Sequence, residues 1–127
     1  MNILLAATAN IEIGAGLALL CLPSAAAVLL VGAPLEANAA LTVARVGGAG
    51  LVSLGVACWL ARGDTQSRTA RGLVTAMLLY NIGAVLILAA FGIRSQTIGV
   101  LLWPAVVLHA AMACWCIVNL GSGKPAG

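Results

Sequence analysis

Residues 3–22 read ILLAATANIEIGAGLALLCL, and this stretch decides the fold. It is apolar apart from Thr8, Asn10 and Glu12. It is also long enough to cross the hydrocarbon core of a bilayer, which takes about 20 residues of helix. Glu12 falls near its middle. An ionised carboxylate at that depth costs roughly 2.5–3.5 kcal/mol on insertion scales, so a carboxyl retained there is paired, protonated or functional.

The rest of the chain repeats the pattern. Of 127 residues, 63% are hydrophobic and 7% charged, and the mean hydropathy is +1.15. That is too little charge to cover a soluble surface. Further runs at 42–61, 72–91 and 98–120 are each long enough to span. The expected fold is all-α: one integral membrane domain over 1–127, a bundle of four transmembrane helices. The net charge of +3 rests on basic residues that flank apolar runs, which argues for membrane orientation and against nucleic acid. The amino terminus has no Lys or Arg before the apolar run, and Glu12 interrupts what would be a signal core. Leu20 stands before Cys21 where a lipoprotein site wants a small residue. The first run is therefore read as a retained helix.

Residues 62–71 form the strongly polar linker, with Arg62, Arg68, Arg71 and Asp64. The positive-inside rule places it in the cytoplasm together with both termini and Lys124. Arg45 and Arg94 then lie near the outer ends. The expected location is a bacterial inner membrane. Residues 24–34, apolar and bracketed by Pro23 and Pro34, are too short to span and read as an interfacial or re-entrant helix. Glu36 is expected in the first turn of an extended second helix. Trp59, Trp103 and Trp115 fall near predicted interfaces, as anchoring indoles do. Pro104 is expected to kink the fourth helix.

Two short motifs recur. Ala57-Cys58-Trp59 returns as Ala113-Cys114-Trp115, and Ile13-Gly14-Ala15 as Ile82-Gly83-Ala84. They suggest two tandem helical hairpins. In that alignment Glu12 corresponds to Asn81, and Ser53 to His109. Each lies about ten residues from the cytoplasmic end of its run, or about 15 Å at helical rise. Lipid offers these groups no partner, so Glu12, Ser53, Asn81 and His109 are expected to form a midplane polar layer. The layer has two readings: hydrogen bonds that fix helix register, or a proton or cation site. Arg45 is a candidate charge partner for Glu12, or an interfacial Arg snorkelling outward. Asn10 points away from Glu12, toward another helix or a second protomer. Tyr80 either packs or donates to the layer.

Gly47-Gly48-Ala49-Gly50 reads as a close helix contact. The cysteines, Cys21 on one side and Cys58, Cys114 and Cys116 on the other, make no disulfide framework. No metal-ligand spacing or catalytic constellation is visible, so no cofactor is expected.

The blocks Ala44-Arg45-Val46-Gly47-Gly48, Arg71-Gly72-Leu73, Tyr80-Asn81 and Leu102-Trp103-Pro104-Ala105 resemble small four-helix membrane proteins of bacteria that are loosely DoxX-like. The resemblance spans most of the chain. It implies the architecture and carries no functional residue over. The functional expectation is a non-enzymatic accessory, assembly or scaffold component whose partners are the bilayer and a second copy or a membrane complex. The alternative is a proton-coupled small-molecule transporter using Glu12. A Glu in the first of four short helices resembles small multidrug transporters, whose other motifs this sequence lacks. A third reading is a haem- or quinone-associated redox subunit using His109.

Overall fold

The computed structural model describes residues 1–64 and 67–122. Thr65 and Gln66 of the polar linker, and Lys124 of the tail, lie outside the described residues. The helices are α1 (Asn2–Cys21), α2 (Pro23–Val31), α3 (Asn38–Ala61), α4 (Arg68–Arg94) and α5 (Leu102–Gly121). α1, α3, α4 and α5 are long and apolar enough to cross a membrane.

Local chemistry sets the boundaries. Leu22 precedes a proline and leaves the helical region (φ −132°, ψ 52°), which ends α1; Pro23 then starts α2. Gly32 closes α2 in the left-handed conformation at φ 82°. Glu36 lies before α3 and not within it, because the chain stays extended through Ala37. Ser67 caps α4 by accepting from the Ala70 N–H at 3.1 Å. α4 thus begins at Arg68 and takes in Arg71, ahead of the expected start at 72. Pro104 does not kink α5. It is the third residue of that helix, where no intrahelical N–H bond is required.

α5 starts at Leu102, later than the predicted 98, because residues 95–101 are tied to α2. The Leu101 N–H donates to the Leu29 carbonyl at 2.8 Å. Gly99 is buried, and a β-carbon there would run into the Leu29 carbonyl oxygen and carbon. Gly99→Ala is expected to release this strap and α2 with it. The check is faster amide exchange at residues 23–35 and 99–102, with α1 and α3 unchanged. Exchange unaltered at residues 23–35 would show that the strap does not hold α2.

The two most extensive helix contacts are α1 with α3 and α4 with α5. The chain is thus built as two hairpins, with α2 packed across α1, α3 and α5. The first hairpin closes on glycine. A β-carbon built on Gly16 would lie 2.6 Å from the Gly48 carbonyl oxygen, and one on Gly48 would lie 2.7 Å from that of Gly16. Gly55 meets Ile13 and the Ala9 carbonyl in the same way. Small residues let backbones approach where lipid supplies no hydrophobic drive to association.

Between the hairpins runs one apolar core: Leu4, Leu5 and Ala9 from α1, Cys58 from α3, Val74 and Met77 from α4, Met112 and Cys116 from α5. It occupies the end of the bundle that holds the start of α1 and α4 and the finish of α3 and α5. At that end Arg71 donates to the Leu120 carbonyl at 3.1 Å, and Arg62 stacks 3.7 Å from the Trp59 ring centre.

Candidate functional site

One turn beyond this core toward the α2 end, the buried surface turns polar. Glu12 is 3% exposed, Thr8 1% and Asn81 1%. Glu12 follows Thr8 by four residues and so shares its helix face. The face meets α4, where the Tyr80 side chain lies near the Glu12 carboxyl.

Asn81 has a fixed orientation. Its Nδ2 donates to the Met77 carbonyl at 2.7 Å, which turns Oδ1 toward His109 Nδ1 at 2.8 Å. An amide oxygen only accepts, so Nδ1 carries the hydrogen. Nε2 of the neutral ring is then left as an acceptor. Tyr80 meets the same imidazole edge-on, with ring centres 5.6 Å apart and planes at 82°. The phenol therefore stands between the carboxyl of α1 and the imidazole of α5. The cluster is Glu12, Tyr80, Asn81 and His109, from three helices.

Ser53 does not join it. Its side chain is exposed, and its hydroxyl donates to the Ala49 carbonyl of its own helix at 2.9 Å. Asn10 is exposed too and donates to the Ala6 carbonyl at 2.7 Å. Arg45 is exposed near the start of α3. Ile13 packs on Gly55 and Gly16 on Gly48 and Val52, so Glu12 lies at the level of residues 52–55. Arg45 is then about 10–15 Å farther along the axis at 1.5 Å per residue. The structure makes Arg45 a surface residue at the α2 end and brings it no closer to the carboxyl. Tyr80 is the member the sequence left open between packing and donating. Its signal was adjacency to Asn81, since neighbours on a helix point about 100° apart and reach different partners.

Thr8 Oγ1 is buried with no hydrogen-bond partner. A stranded buried hydroxyl costs about 1–3 kcal/mol. Thr8→Val keeps the shape and removes the stranded group. It is expected to raise stability by about 1 kcal/mol in thermal or denaturant melts in detergent. A loss of stability instead would mean that the hydroxyl is partnered, through water, to the Glu12 face.

Among the described residues no group of three or more His, Cys, Asp or Glu side chains is placed to hold a metal ion. The cluster joins hydrogen-bond donors and acceptors across helices, around one carboxyl. No family model, curated protein or solved structure matches this chain.

Proposed function

We propose that the chain is a multi-pass bacterial inner-membrane protein acting as a non-enzymatic accessory, assembly or scaffold component. The observation that carries this reading is how the polar side chains are used. Asn81 and His109 tie α4 to α5 by a side-chain hydrogen bond, and Glu12 of α1 is buried near Tyr80 of α4. Fixing the register of one helix against another is the role such polar groups play between membrane helices. The polar linker and both chain ends are assigned to the cytoplasm, because Arg62, Arg68 and Arg71 gather at one end of the bundle and outnumber Arg45 and Arg94 at the other. The DoxX-like resemblance is consistent with this architecture.

Outside the core, the long helices expose Val43, Val46, Leu79, Ile87, Val107 and Val118. Lipid and neighbouring membrane helices are the surfaces that match such faces. The test is purification from native membranes in mild detergent with cross-linking. A membrane protein recovered in fixed proportion supports the reading; recovery of this chain by itself counts against it.

A second reading is a proton-coupled transporter using Glu12. It is favoured by one observation: a buried carboxyl whose side-chain contacts are neutral, with the unpartnered Thr8 hydroxyl one turn away. Under that reading Glu12→Gln abolishes proton-coupled flux in proteoliposomes while the fold survives. Flux that persists in the variant removes it.

A further inference from the structure

All the methionines of the chain, Met1, Met77 and Met112, meet in the apolar core or against it, and so do Cys58 and Cys116. Cys58 and Cys116 are completely buried, and Met77 and Met112 are 1% and 6% exposed. These donors come from α3, α4 and α5. Met112 and Cys116 are four residues apart, so they share one face of α5. Cys58 of α3 and Cys116 of α5 belong to the same buried core cluster. Both thiols are free, whereas Cys21 and Cys114 are exposed and lie outside the cluster. A cavity of about 490 Å³, lined by Met1, Asn2, Ile3, Leu4 and Trp115, opens beside it at the bundle end. Met1 and Leu4 border both the cavity and the core.

We propose that this sulfur cluster is a binding site for a soft monovalent cation of the Cu(I) and Ag(I) class, with the thiolate of one of Cys58 and Cys116 as the strong donor and the other thiol, Met77 and Met112 as the weak ones. Thiolate and thioether donors select such ions. Zinc takes nitrogen, oxygen or thiolate at four positions, and thioethers fill none of them. Charge points the same way. When one thiol loses its proton to solvent, its thiolate and a monovalent ion sum to zero, so thioethers complete the shell without leaving a net charge in an apolar core.

The experiment is titration of the detergent-solubilised, reduced full chain with Ag(I), and with Cu(I) against a chromophoric chelator. One ion per chain, held by the wild type and by a C21S/C114S variant, is the expected result. The C58S/C116S variant loses binding. The volume-conserving M77L/M112L variant weakens it about tenfold or more while its circular dichroism stays that of wild type. In wild type, bound Ag(I) slows alkylation of Cys58 and Cys116, read by mass spectrometry, without slowing that of Cys21. The proposal is overturned if wild type fails to compete with the chelator. It is equally overturned if C21S/C114S is the variant that loses the ion, or if alkylation of Cys58 and Cys116 is unaffected.

Discussion

Gly48→Ala is expected to pull α1 from α3, while Gly47→Ala and Gly50→Ala leave the protein as stable as before or slightly more so. The three glycines share one helical stretch of α3 and differ in what they face. A β-carbon on Gly48 would stand 2.7 Å from the Gly16 carbonyl oxygen and 2.9 Å from the Leu20 nitrogen, whereas one on Gly47 or Gly50 would meet nothing within 4 Å. The obstructing atoms are backbone, which cannot rotate aside as a flexible side chain does, so the helices themselves must move. Alanine gains about 1 kcal/mol in helix propensity over glycine at each position. At 47 and 50 that gain is unopposed. At 48 it is set against overpacking, which costs about 1–3 kcal/mol, and against loss of the Gly16 and Gly55 contacts that depend on the same spacing. A net loss of about 2 kcal/mol is expected for Gly48→Ala, and dissociation of the hairpin for Gly48→Leu. Unfolding in mixed detergent, followed by far-ultraviolet circular dichroism, measures both. Equal losses at 47, 48 and 50 would mean that α3 does not use this face.

The same contrast explains how much was legible in the sequence. Helix number and length follow from apolar runs against bilayer thickness, so the first run, 3–22, maps onto Asn2–Cys21 with little change. Helix faces are harder. A soluble helix marks its buried side by polar residues on the other, but a helix in lipid is apolar all round, and periodicity carries no such mark. Only polar residues remain as pointers. They point to Glu12 and Asn81, which are buried, to His109, which bonds Asn81, and to Ser53, which is exposed. A serine satisfies its hydroxyl on the carbonyl four residues back and needs no second helix, as Ser53 does with Ala49. Glutamate, with no hydrogen to donate when ionised, has no such recourse.

The repeated Ala-Cys-Trp motif reinforced the error. Burial agrees at three aligned positions of α1 and α4, Leu5 with Val74, Thr8 with Met77 and Glu12 with Asn81, while buried Leu4, Ala9 and Gly16 align with the half-buried Leu73, Leu78 and Val85. It does not match α3 to α5. Cys58 is buried and its aligned Cys114 is exposed; the buried residue on α5 is Cys116. A slip of two residues turns a helix by about 200°. That rotation placed Ser53 opposite His109, and it hid the meeting of Cys58 with Cys116. The strap at 95–101 was invisible for another reason: it depends on a contact with Leu29, far away in the chain.

Substitution at Glu12 separates the readings of the polar cluster, because its replacements differ in one property at a time. Glutamine keeps the size and an acceptor for the Tyr80 hydroxyl but cannot release a proton. Leucine keeps the bulk and removes every polar atom. Lysine brings a charge whose neighbours offer it no carboxylate, since Tyr80, Asn81 and His109 are neutral donors and acceptors, so it is expected to cost roughly 3 kcal/mol and to split the hairpins. If the cluster sets register, Glu12→Gln melts within about 1 kcal/mol of wild type and keeps whatever partner wild type retains. Under the same reading Glu12→Leu stays helical, because exchanging a buried polar contact for apolar packing is often neutral in stability. Its cost falls on uniqueness: cysteine cross-links between α1 and α4, one pattern in wild type, become several. If the carboxyl instead carries protons, glutamine is as inactive as leucine in flux while wild-type register is kept in both. The decisive comparison is therefore Gln against Leu, read by cross-linking pattern and by flux together. A single cross-linking pattern in Glu12→Leu would remove the structural role assigned to the cluster, whatever its melting temperature.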